Sequence, residues 1–239
     1  MSKLLLNSAD STNRNPNEGS LDVTVPIEGD YLLLQFGINN RLFNVNSNNN
    51  KVFLKINSVT DYTKTLTKGY YSLTQLGSEL SEQLNTISGH SFTVTTDSKT
   101  GKFSVTIGGG HEFSFTFKTN KSKSARIILG FSEVDTNNGT VQTSDNSADL
   151  TPYKHIFCRM GGESPHSIIS HKHLYTSLLI PGDSQFGGVL RYKFSENKPQ
   201  IIRFHNSTKT VSYHFHDENN ATIDFNGCEW MMLLQKISV

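Results

Sequence analysis

The chain has 239 residues, 35% of them hydrophobic, with 22 Lys and Arg against 21 Asp and Glu. That content can bury a real core as one domain with an insertion or as two small ones, and the balanced charge excludes the broad positive field that holds a nucleic-acid backbone. The three leucines Leu4, Leu5 and Leu6 are too few for a signal-peptide core or a bilayer span, so a soluble, unsecreted product is expected.

In chain order, Asn7 to Ser20 is rich in Asn, Ser and Asp without apolar periodicity, and residues 1–20 are expected to form a flexible arm. Leu21, Val23 and Val25 then alternate with polar residues up to Pro26, the period of a half-buried strand. Tyr31 to Phe36 is apolar at both parities, which suits a strand buried on both faces. After the turn-prone stretch Asn46 to Asn50, alternation resumes at Val52, Leu54 and Ile56.

The pattern changes at Ser72-Leu73-Thr74-Gln75, a capping-box sequence that opens a helix. Leu73, Leu76, Leu80, Leu84 and Ile87 follow at three- and four-residue steps and place one apolar stripe along it, with Gly89 as its stop. Phe92 and Val94, the turn Asp97 to Gly101, and Phe103, Val105 and Ile107 predict a hairpin under that helix. Phe113, Phe115 and Phe117 add a strand, and Ser124 to Leu129 a short helix capped by Gly130. Ser132 to Asp149, with few large apolar residues, is expected to be an exposed loop. Strands are then expected at His155 to Arg159, Leu174 to Ile180, Val189 to Phe194, Ile201 to Phe204, Val211 to His216 and Cys228 to Gln235. Many short strands separated by Gly, Pro, Asn and Asp argue for a sandwich or barrel.

Few groupings suggest chemistry. Cys158 and Cys228 sit in strand-like runs without metal-ligand spacing and read as reduced, buried residues. Four sequons, at Asn120, Asn138, Asn206 and Asn220, are what an Asn-, Ser- and Thr-rich chain produces by chance. Gly182-Asp183-Ser184-Gln185-Phe186-Gly187-Gly188 is superficially like the surround of a serine-protease nucleophile. Gln185 and Phe186 stand where a glycine must follow the serine, and a strand-to-strand turn is the better reading. His171-x-His173 and His214-x-His216, the latter followed by Asp217, each put two imidazoles on one strand face. With Tyr213 and Phe215 on the buried face, His214 and His216 are expected to face solvent or a subunit contact that protonation near pH 6.5 would loosen. Gly108-Gly109-Gly110-His111 lacks the ending of a phosphate loop and reads as a hairpin turn. Lys118, Lys121, Lys123 and Arg126 form the one local basic cluster, read as a solvated loop face, and Trp230 alternates with Met232 and Leu234 as a core residue.

Gly69-Tyr70-Tyr71 with the leucine helix, Phe92 to Asp97 through Lys102 to Val105, Ile128-Leu129-Gly130-Phe131, His216 to Asn219, Ile223 to Gly227 and Trp230 together form a pattern. Across about residues 20–239 it resembles the single jelly-roll minor capsid or penton proteins of double-jelly-roll DNA viruses, the virophage, polinton-like and large-DNA-virus group. The resemblance implies a mainly β, antiparallel jelly-roll sandwich over 21–59 and 132–239, with an inserted helix-and-hairpin α+β subdomain over 60–131. It implies a structural virion protein at a vertex or as a minor capsid subunit, without catalytic residues, cofactor or metal. A homo-oligomer is then expected, a pentamer favoured, in contact with a major capsid protein and other capsid components, without specific nucleic acid or membrane insertion. Its place would be the virion, assembled inside the host cell. The alternative is a β-sandwich attachment module that recognises a host glycan or protein.

Overall fold

The computed structural model describes residues 3–11, 18–153, 155–162, 180–181, 186–193, 201–217 and 220–237. In chain order its elements are β1 (Lys3–Asn7), a 3-10 turn (Ser8–Asp10), β2 (Glu18–Asn39), β3 (Lys51–Ile56), β4 (Thr60–Thr65), α1 (Leu73–Asn85), β5 (Phe92–Asp97), β6 (Lys102–Ile107), β7 (Phe113–Phe115), β8 (Val141–Thr143), β9 (His155–Gly162), β10 (Ile180–Pro181), β11 (Val189–Lys193), β12 (Ile201–His216) and β13 (Trp230–Lys236). The fold class is the expected one, mainly β and antiparallel with an inserted α+β unit. The chain divides into two units, Met1–Leu42 with Tyr153–Val239, and Phe43–Pro152. The insert is therefore wider at both ends than the expected 60–131.

Among the described residues the first unit is a seven-stranded sheet ordered β1-β13-β2-β12-β9-β10, with β11 also paired to β2. Two strands expected separately, around Val23 and around Leu33, are one 22-residue strand, β2. Pro26, which has no N–H to give a ladder, falls where the register with β12 shifts between Ile27 and Asp22. A second shift, opposite Leu233 and Leu234, leaves Leu34 as an extra residue in β2. That bulge explains the apolar run at both parities: Tyr31 and Leu33 point inward before it, Phe36 and Ile38 after it, and Leu32 and Leu34 are only half-buried. The expected strands Ile201 to Phe204 and Val211 to His216 likewise merge into β12, while residues 174–179 of the strand expected at Leu174 to Ile180 lie outside the described residues.

The core of this unit gathers on Trp230. Its ring stacks on Phe36 at 6.3 Å and meets Tyr213 and Phe215 edge-on at 4.9 and 5.3 Å. Cys158 and Cys228 are both buried free thiols, and burial pushes the Cys158 thiol well above its ordinary range.

Of the arm expected at 1–20, residues 3–11 need correction, while residues 1–2 and 12–17 lie outside the described residues. Lys3–Asn7 pairs antiparallel with β13, Leu6 is buried, and the Trp230 N–H donates to Ser8 Oγ at 2.8 Å. Leu4 and Leu6 supply an inward-facing stripe that burial rewards, so this stretch gains more than its ordering costs.

In the insert, β3 lies between β4 and β7, and β6 between β5 and β8. Helix α1 opens with the expected capping box: Gln75 N–H donates to Ser72 Oγ at 3.3 Å, and Ser72 N–H to Gln75 Oε1 at 2.9 Å. Its stripe of Leu76, Leu80 and Leu84 is fully buried. Gly77 lets the helix approach β5, because a Cβ there would lie 2.9 Å from Thr96 Cγ2.

The insert begins early because Val45 and Gly69 exchange backbone hydrogen bonds, Asn44 bonds both backbone groups of Tyr71, and β3 pairs with β4 and β7 of this unit. It ends late because 132–149, expected as an exposed loop, is fastened to it. β8 extends the β6 edge, Gln142 Nε2 donates to Phe113 O and Asn137 O, and Asp135 accepts from the N–H groups of Lys118 and Thr119. Polar side chains here are spent on backbone groups of their own unit, which composition alone cannot distinguish from solvation. The short helix expected at Ser124 to Leu129 is a single turn. Phe131 N–H donates to Arg126 O and Gly130 N–H to Ile127 O, a Schellman closure with Gly130 at φ 75°.

Two outcomes follow for stability. Gly89→Ala, at φ 80° with nothing within 4 Å, should cost only the left-handed penalty of about 1–2 kcal/mol. Gly130→Ala should cost clearly more, since its Cβ would lie 2.2 Å from Asn146 O; denaturant unfolding of the two variants compares them directly. Ser8→Ala should cost about 0.5–1.5 kcal/mol by removing the Ser8 Oγ acceptor of the Trp230 N–H, and an unchanged midpoint would mean that β1 is not docked in solution.

Candidate functional site

The paired histidines of β12 sit on the face opposite Tyr213 and Phe215, as the alternation requires, but only His214 keeps partial exposure. His216 is 8% exposed and His214 is half-buried. The return segment after β12 covers them: Ile223 N–H donates to Phe215 O, Asp217 and Ala221 bond each other, and His214 Nε2 lies 3.0 Å from Thr222 Oγ1. Glu18 Oε2 approaches His214 Nε2 at 3.7 Å. The His216 ring stacks on Phe157 at 5.5 Å, and its Nδ1 lies 2.9 Å from Asp217 O. Since that carbonyl can only accept, Nδ1 carries the proton, and the buried Nε2 meets no hydrogen-bond partner among the described residues. Both imidazoles are held below their ordinary value by burial first; neighbouring positive charge, Arg159 for both, adds to this, and Glu18 and Asp217 oppose it.

This arrangement is a neutral, packed pair rather than a ligand set. Among the described residues no group of three or more His, Cys, Asp or Glu is placed to hold a metal ion. His171, His173 and Ser184 lie outside the described residues; what is described after Ser184 is a turn, with Gly187 at φ 84° and Gly187 N–H donating to Asn40 O. Gly108 to His111 is a turn between β6 and β7, where the His111 ring meets that of His90 edge-on at 4.5 Å. The basic cluster is partly neutralised from within: Glu133 pairs with Lys121 and, at 3.0 Å, with Arg126.

The surface feature that sequence reasoning missed is the outward side of β1, β13, β2 and β11. Register aligns Leu5, Leu233, Gln35 and Lys193 in one row, and Asn7, Met231, Gly37 and Arg191 in the next. Lys3, Gln235, Leu32 and Ile201 form a third row. Leu5 is 61% exposed, Met231 49%, Ile201 44% and Val189 41%. A groove of about 350 Å³ runs past Gly37 between Met231 and Arg191. The signal was present in the sequence, because Leu4-Leu5-Leu6 and Trp230 to Leu234 are apolar at both parities; one parity fills the core and the other is left at the surface.

No protein-family model matches the sequence, and no curated protein matches it. Among solved structures the chain is similar to the mavirus penton protein, with a TM-score of 0.46 and 15% identity over 99% of this chain and 100% of that one. The likeness is loose. It is similar also to the D2-D3 domains of the Escherichia coli flagellar cap protein FliD, with a TM-score of 0.20 and 9% identity over 91% of this chain and 100% of that one. For the D1-D2-D3 fragment of FliD the values are 0.17 and 10%, over 99% and 58%. Among the described residues no helix is long and apolar enough to cross a membrane.

The lowered histidine values set a pH dependence. Above about pH 6.5, the unfolded histidine value, both states hold neutral imidazoles and the full stability is present; as pH falls below it the unfolded chain binds protons that the folded chain refuses, and stability is lost. Thermal unfolding should shift to lower temperature between about pH 7.5 and pH 5.5, and less so in His216→Phe. A midpoint with the same pH dependence in both proteins would show that this imidazole titrates normally.

Proposed function

We propose that this chain is a structural subunit of a virus capsid, a penton or minor capsid protein that acts by contact and catalyses nothing. The observation that carries the reading is where the side chains are spent. The His216 imidazole, the Asp135 and Asp145 carboxylates and the two thiols serve packing, turns and backbone hydrogen bonds, while a sheet face bearing Leu5, Met231, Leu233, Ile201 and Val189 is presented to the outside. A binding surface made of strands, without converging ionisable groups, suits assembly.

The sequence pattern that resembles single jelly-roll capsid proteins supports the same reading. In this role the protein forms a ring of five copies at a vertex, where each copy offers its neighbour the same pair of patches, and it contacts a major capsid protein. It works in the virion after assembly in the host cell, and it needs neither cofactor nor metal.

Mass measurement of the purified protein tests this directly. A species of five chain masses is expected. A strict monomer at every concentration that also binds a glycan array would replace the capsid reading with an attachment module.

A further inference from the structure

We infer that Asn226 is a self-modification site, at which the Gly227 nitrogen closes on the Asn226 side chain and the amide becomes an aspartate or an isoaspartate. The inference is independent of the capsid reading.

The chain contains two Asn-Gly pairs, Asn138-Gly139 and Asn226-Gly227. In such a pair the glycine nitrogen reaches the asparagine Cγ with no Cβ of its own in the way. The new N–Cγ bond forms as the Cγ–Nδ2 bond breaks. The glycine N–H proton leaves with Nδ2 as ammonia, and a cyclic imide remains. Water then opens the ring, giving aspartate when it cleaves the bond to Cγ and isoaspartate when it cleaves the bond to the main-chain carbonyl carbon. The chain and water are the only reactants.

The fold treats the two pairs differently. Gly139 N–H donates to Phe113 O at 3.1 Å, and Phe113 N–H donates to Gly139 O at 2.9 Å. Asn138 Nδ2 donates to Glu112 Oε2 at 2.5 Å. The attacking nitrogen is therefore held in a bridge beside the buried Phe113, and the leaving amide is held by a carboxylate.

Asn226-Gly227 is the centre of a tight turn closed by Cys228 N–H donating to Phe225 O at 3.0 Å, with φ of 52° and 70° at its two central residues. Gly227 is exposed, nothing lies within 4 Å of where its Cβ would be, and its N–H meets no hydrogen-bond partner among the described residues. Asp224 Oδ1 accepts from Asn226 N–H at 2.8 Å, and Asn226 Nδ2 donates to Arg41 O at 2.7 Å. Ring closure needs the side chain to leave Arg41 O and the exposed turn to open. At Asn138 it needs a bridge between strands to come apart, which is the costlier opening.

Modification undoes a clasp. The Nδ2 bond to Arg41 O fastens the turn before β13, the strand that carries Trp230, to the segment after β2. A carboxylate at that position cannot donate, faces a carbonyl oxygen and stands close to Asp224. It also cancels the chain's formal net charge of +1.

The test ages the full chain in mildly alkaline native buffer and follows both asparagines by peptide mapping with mass spectrometry. Asn226 should convert at least about tenfold faster than Asn138. In guanidinium chloride the two should convert at similar rates, since each precedes a glycine, so the native difference belongs to the fold. Equal native rates, or faster conversion at Asn138, overturns the proposal. So does an Asn226 that stays intact in native buffer for as long as the denatured chain needs to convert fully. Aged wild type should develop a more acidic band on isoelectric focusing that runs with Asn226→Asp. Asn226→Gln, which keeps an amide but would have to close a larger ring, should not develop it, and a band that forms equally in this variant counts against the site. Asn226→Asp should unfold at a lower temperature than wild type, and an equal midpoint overturns the loss of the clasp.

Discussion

The first unit depends on β2 holding its register with three partners at once. β13 lines one of its edges, and β12 and β11 share the other. A one-residue slip would turn every inward side chain outward, so the strand cannot be regular over 22 residues and still serve all three. The irregularities near Pro26 and at Leu34 take up the mismatch, and they let Leu21, Tyr31, Leu33, Phe36 and Ile38 share one core.

Where local chemistry decides the structure, the sequence was legible. The capping box at Ser72, the leucine stripe of α1 and the β5–β6 hairpin all stand where their spacing places them, because each is fixed within a few residues. Elements that depend on distant partners were not. Lys3–Asn7 becomes a strand only because β13 lies beside it, and the polar stretch 132–149 joins the insert only because Phe103, Phe113 and Lys118 offer backbone groups to its side chains. A single helical turn at Ala125 to Gly130 cannot be told from a short helix by its terminal glycine alone.

The candidate residues show the same division. Parity put Tyr213 and Phe215 in the core and the histidines on the other side, correctly, but parity says nothing of what lies over that side. The return of 220–223 covers it, which is why His216 is buried. The converse error fell on the outward face of β13, where Met231 and Leu233 were overshadowed by the better-patterned Trp230, Met232 and Leu234.

The insert is a continuous run of chain, whereas its host unit closes only by joining residues 3–7 to residues 231–235. On the ribosome, residues 43–152, which have a core of their own, are complete while the polypeptide still lacks the strand that carries Trp230. The host is thus finished last, around a Trp230 that arrives 222 residues after the serine it bonds. Throughout that interval the apolar side of β2 lacks its closing strand, so the first unit keeps apolar surface uncovered longer than the insert does.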